Sequence, residues 1–271
     1  MKTPFTLLLL SICYLASAQK FDVADFTAKE EVARWLCAYD EVAWHTSDSV
    51  LALADDERQQ LGGEWFCIKD EGKDTWQAYY GKYAERRFTP VIHYSYTNGK
   101  INRQYNKVDT AALSLYASAL QLAARQRMVG LRDSFQLQFN QYIQRNADKT
   151  FSVWIFPAFQ PNSVAVYGGE FIYTINAEGT SILKDESYLS GKFLGFKVER
   201  EAYDVRLNYE QVNKPTLGAV FFALYYAPYF KNITIQTAKN TSILFNDGGN
   251  RFWSHIEGAP PISKGDKKKK K

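Results

Sequence analysis

Short turn sequences recur between runs of aromatic and β-branched residues along most of this 271-residue chain. Val91-Ile-His-Tyr-Ser-Tyr96 is followed by Asn98-Gly99 and then by Lys100 to Tyr105. Asn-Gly suits the positive φ values of a type I′ turn, so this stretch reads as a β-hairpin. Glu64 to Lys69 and Thr75 to Tyr83 are strand-like runs on either side of Asp70-Glu-Gly-Lys73. Phe135, Leu137 and Phe139 alternate with glutamines, and Thr150 to Phe159 follows across Asn146-Ala-Asp-Lys149. Val164 to Ile175 faces Thr180 to Leu183 across Asn176-Ala-Glu-Gly179, Tyr203 to Tyr209 alternates, and Ile233 to Thr237 pairs with Thr241 to Phe245. A chain built of consecutive hairpins makes antiparallel sheet.

Three segments carry helical periodicity instead. Thr27-Ala-Lys-Glu30 has capping-box spacing, and Val32, Trp35, Leu36 and Tyr39 follow on one face. Helix is expected over 24–60, with a new start at Thr46-Ser47-Asp48 and an end at Gly62-Gly63. Asp109 caps a helix running to about Met128, stopped by Gly130. Pro215-Thr216-Leu217 through Tyr226 reads as helix from its proline near the first turn, although its aromatic content would also suit a strand.

The class is therefore α+β: antiparallel β-sheet hairpins, an N-terminal helical segment and one or two packed helices. Residues 19–258 are expected to form a single domain with a seam near 130–150, because no Pro/Ser/Gly linker divides them. No internal sequence repeat is evident.

The two ends differ from this body. Lys2, the apolar stretch Phe5 to Leu15 and Ala16-Ser-Ala18 form a secretory signal peptide over 1–18, cut before Gln19. Its apolar run is too short to span a membrane, so no transmembrane segment is expected after cleavage. Residues 259–271 end in Lys267–Lys271, a like-charge block expected to be disordered and solvated, with attachment to an anionic surface as its functional alternative. The net charge of +4 falls to −2 once Lys2 and these five lysines are removed. The body is thus slightly acidic, which argues against specific nucleic-acid binding.

The sequence contains no G-x-S-x-G, no P-loop, no G-x-G-x-x-G and no H-E-x-x-H. His45, His93 and His255 lack local ligand spacing, so no metal site and no cofactor is expected. His45 and Asp48, at helical spacing, are the candidate catalytic pair, the carboxylate orienting the imidazole for base chemistry; capping by Thr46, Ser47 and Asp48 explains the same residues without catalysis. Trp44, Trp76 and Tyr80 are candidate ligand-binding residues of an aromatic platform, with core packing as the alternative. Cys37 and Cys67 either form one disulfide or remain two buried thiols. Gly168-Gly169, inside a strand pattern, marks a bulge or a close backbone approach.

Three segments resemble uncharacterised exported proteins of Gram-negative bacteria: Ala38 to Asp48, Trp154 to Pro161 with Val166 to Glu170, and Lys214 to Phe222. The resemblance implies a periplasmic or extracellular location and carries no catalytic residue across. The expected function is non-catalytic binding or envelope association through an aromatic-rich sheet. A hydrolase using His45 and Asp48 is the enzymatic alternative.

Overall fold

The computed structural model describes residues 21–70, 72–131, 137–247 and 249–258. The expected signal peptide, Phe135 and the lysine-rich tail lie outside the described residues. Helix α1 (Val23–Leu51) starts earlier than the capping-box spacing predicts, because the Asp22 carboxylate accepts from the Asp25 N–H at 3.1 Å. It also runs through Thr46-Ser47-Asp48 without a break. The Thr46 hydroxyl donates back to the Val42 carbonyl at 2.7 Å and lies 2.7 Å from the Tyr80 hydroxyl, so it serves the helix interior rather than a new N-terminus. Only a four-residue helix, α2 (Asp55–Arg58), follows before the first sheet.

That sheet is a meander of β1 (Glu64–Lys69), β2 (Trp76–Ala84), β3 (Arg87–Thr97) and β4 (Lys100–Arg103) in sequential order. Asn98 and Gly99, with φ of 48° and 75°, make the turn that pairs Thr97 with Lys100, as their sequence predicts. Helix α3 (Thr110–Gly130) is capped by Asp109, which accepts from the Ala111 and Ala112 N–H groups at 3.0 Å each. The second sheet follows: β5 (Phe139–Arg145), β6 (Phe151–Pro157), β7 (Val164–Ile175) and β8 (Ile182–Asp185), with β9 (Tyr188–Lys197) on the first half of β7. The β7–β9 register shifts between Tyr167 and Gly169. Gly168 has φ of 109°, and a Cβ there would meet the Lys192 carbonyl at 2.5 Å. Glycine is required by both the backbone angle and the close approach.

Strand β10 (Val205–Tyr209), helix α4 (Leu217–Tyr226), β11 (Asn232–Thr237), β12 (Asn240–Asp247) and β13 (Asn250–Glu257) complete the fold. β10 and β11 pair in parallel, with α4 as their crossover, so this last sheet is not wholly antiparallel. Thr216 caps α4 by accepting from the Ala219 N–H at 3.2 Å. The protein is thus α+β, with four helices and thirteen strands among the described residues, and no described helix is long and apolar enough to cross a membrane. A helix followed by an antiparallel meander occurs three times, at α1, α3 and α4, although the sequence does not repeat.

Two cores fill the interior. One gathers Leu36 and Tyr39 of α1, Phe221 and Phe222 of α4, and Leu207 and Ile235 of the third sheet. The other packs Leu113, Tyr116 and Leu120 of α3 on Phe66, Phe151, Val153 and Phe171. Burying a side chain of this size stabilises by roughly 1.5 to 3 kcal/mol.

Glu170 is the charged group most deeply placed in β7. It accepts from the Gly218 N–H and from Thr216 at the start of α4, with Lys29, Tyr188 and Tyr209 around it. Burial raises its carboxyl to about 7 against those hydrogen bonds, from an ordinary 4.5. Its folded-state pKa therefore lies above the unfolded one, and its contribution to stability is present below pH 4.5 and is lost as pH rises toward 7. At about 1.4 kcal/mol per pH unit of displacement, the loss is on the order of 3 kcal/mol. Urea unfolding of the parent between pH 4.5 and 7 should show this decline, and Glu170→Gln should flatten it. Burial raises Asp40 too, so a residual decline of the same sign remains in that variant.

Candidate functional site

A cleft of about 980 Å³ opens between the β1–β2 turn and the β5–β6 turn. It follows from how two sheet edges meet. β1 and β5 are the edge strands of different sheets and lie against each other without joining one ladder. One turn of α1 fixes both. The Tyr39 Oη accepts from the Cys67 N–H at 2.8 Å, satisfying an outward amide of β1. The Asp40 Oδ1 accepts from the Tyr142 hydroxyl at 2.8 Å and from the Asn140 amide at 3.0 Å, which ties α1 to β5. Tyr225 of α4 also hydrogen-bonds Asp40.

Trp35 stands one helical turn before Tyr39, and its half-buried ring lines the cleft. Behind it lie Tyr39, Trp76 and Trp154, with ring centroids 5.4 to 5.6 Å away. Ile68, Tyr116 and Ile143 complete the apolar floor, and Lys69, Asp70, Asp74, Arg145 and Lys149 form much of the rim. A pocket with an apolar floor and a few polar groups at its mouth is the general form of a small-ligand site. A second cleft, of about 570 Å³, lies around the opposite end of β1 at Glu64.

The residues singled out from the sequence lie elsewhere. His45 is half-buried and stacks on Tyr96 at 5.7 Å, Asp48 is exposed, and no hydrogen bond joins the two among the described residues. The Ser47 Oγ, a candidate nucleophile for such a pair, is 3.0 Å from the Tyr80 hydroxyl. Trp44 is 60% exposed, whereas Trp76 and Tyr80 are buried at 4% and 6%. They are core residues, so no exposed platform contains the three. Burial pushes the Tyr80 hydroxyl up to about 12. Trp76 reaches the site only indirectly, behind Trp35 and beneath the Lys69 ammonium at 5.7 Å.

The disulfide does not form: Cys37 and Cys67 are both free. Burial, reinforced by the Asp40 charge, pushes the Cys37 thiol up to about 12 and Cys67 higher still. Both thiols are neutral near pH 7 and are poor nucleophiles.

Sequence reasoning missed Trp35, Arg145 and Lys149 as site residues. Trp35 carried only the signal of a buried helix face, and the other two only that of a strand end and a turn. No protein-family model, no curated protein and no solved structure matches this chain.

Proposed function

We propose that this is an exported, non-catalytic binding protein whose ligand occupies the cleft between the β1–β2 and β5–β6 turns. The observation that carries the reading is the cleft itself: Trp35 on its wall, an apolar floor and a charged rim, held by Tyr39 and Asp40 of the same helix. Export rests on the signal-peptide pattern and the resemblance to exported proteins. The hydrolase alternative has weaker support, because His45 and Asp48 share no hydrogen bond and lie outside this cleft.

Ala147 lines the cleft from the exposed turn, so Ala147→Trp fills it without touching either core. A panel of small saccharides, organic acids and fatty acids should contain compounds that raise the melting temperature of the parent protein but not of this variant. Stabilisation of both proteins alike, or of neither by any compound, overturns the reading. Turnover of a compound that is abolished by His45→Ala would establish the hydrolase instead.

A further inference from the structure

The rim of the cleft is unequally charged. Among the described residues, four cations, Lys69, Lys73, Arg145 and Lys149, face two carboxylates, Asp70 and Asp74. Both carboxylates are already engaged: Asp70 accepts from the Gln77 amide at 2.9 Å, and Asp74 lies 3.9 Å from the Lys69 ammonium. Lys73, Arg145 and Lys149 have no ion-pair partner among the described residues. The Arg145 guanidinium rests on the Phe151 ring at 5.6 Å, and its Nε is buried without a hydrogen bond, so packing rather than a carboxylate holds it. Among the described residues, the cleft of this body of net charge −2 thus presents three positive groups outside any ion pair.

The floor limits what an anion bound there can be. Tyr116 and Ile143 are 8% and 1% exposed, leaving Trp35, Ile68 and the Ala147 methyl as the accessible apolar surface. That is too little for an acyl chain, whose affinity scales with the apolar area it buries. One indole face, the exposed Gln144 amide and cations on the rim suit a hydroxylated ring, whose C–H face stacks on the aromatic while its anionic groups pair with Lys and Arg.

Resting on the reading of the cleft as a binding site, we propose that its ligand is an acidic saccharide, a short sugar carrying carboxylate or sulfate groups. Lys73, Arg145 and Lys149 bind the anionic substituents, and Trp35 stacks on a ring.

Isothermal titration of the full chain with trigalacturonate, a sulfated heparin-derived disaccharide and neutral cellotriose tests this. At least one acidic sugar should bind roughly tenfold or more tighter than cellotriose at low salt, with affinity falling as salt rises. Arg145→Gln and Lys149→Gln should each weaken it roughly 3- to 10-fold. Lys149 lies on an exposed turn, so its variant keeps the test valid if Arg145→Gln misfolds. Deleting Lys267–Lys271 should leave the affinity unchanged. The two acidic arms separate a carboxylate-bearing from a sulfate-bearing ligand. Equal binding of cellotriose, or tighter binding of dodecanoate or of a short oligodeoxynucleotide, overturns the acidic-saccharide class; if Ala147→Trp still blocks that ligand, the cleft reading stands. Acidic-sugar binding that survives Arg145→Gln, Lys149→Gln and Ala147→Trp overturns both, and no binding of either acidic sugar at millimolar concentration overturns the ligand class.

Discussion

Asp40→Ala is expected to destabilise the protein by about 3 to 5 kcal/mol, a large share of the roughly 5 to 15 kcal/mol that holds a typical domain. The loss comes from three donors rather than from the carboxylate alone. The Tyr142 hydroxyl, the Asn140 amide and the Tyr225 hydroxyl all converge on Asp40, and Tyr142 is only 1% exposed. Each buried donor left without a partner costs roughly 1 to 3 kcal/mol. Asp40→Asn keeps one acceptor oxygen at the same position and should cost clearly less. Urea unfolding of the three proteins at one pH checks the order parent, Asn, Ala. Equal stability of Asp40→Ala and the parent would show that α1 does not hold β5 through this carboxylate.

Phe221→Ala should cost a similar amount, about 3 to 5 kcal/mol, by a different mechanism. Phe221 is 4% exposed on α4, with its ring 5.7 Å from Tyr142, 5.1 Å from Phe156 and 5.3 Å from Tyr225. Truncation opens a cavity where helix α4 meets the second sheet, and a ten-residue helix depends on tertiary packing for its stability. Phe221→Leu, which refills much of that volume, should recover a large part of the loss. The two substitutions share the neighbours Tyr142 and Tyr225, so Asp40→Ala and Phe221→Ala should combine non-additively.

The elements legible in the sequence were those with local punctuation. Asn98-Gly99 set its hairpin by backbone angle, Asp109 capped α3, and Pro215-Thr216 opened α4, whose aromatic residues alone suggested strand. β9 and β13 gave no comparable signal. β9 mixes exposed apolar and charged residues with Gly191 and Gly195, and β13 is mostly exposed along an edge, so neither alternates cleanly. The break expected at Thr46 failed because a capping residue can satisfy its hydroxyl inside a helix when a tertiary partner, here Tyr80, is available. The parallel β10–β11 pair was hidden for a related reason: both strands alternate as antiparallel strands do, and only the α4 crossover sets their direction.

The candidate site was less legible than the fold. Trp35, Tyr39 and Asp40 sit on one helix, but the strands they fix and the two turns that close the cleft are separated from them by up to about a hundred residues. Local spacing cannot reveal such a meeting. The short-range pattern at Trp44 to Asp48 attracted the catalytic reading, while the same helix carried Trp35, Tyr39 and Asp40 one to three turns earlier.

Crystallographic screening of the full chain against a mixed library of anionic and neutral sugar-sized fragments shows where such ligands bind. Fragments should cluster between residues 68–74 and 143–149, with ring fragments on Trp35 and anionic ones beside Arg145 and Lys149. Fragments gathered at another surface, with this cleft left empty, would contradict the reading of the cleft as a binding site.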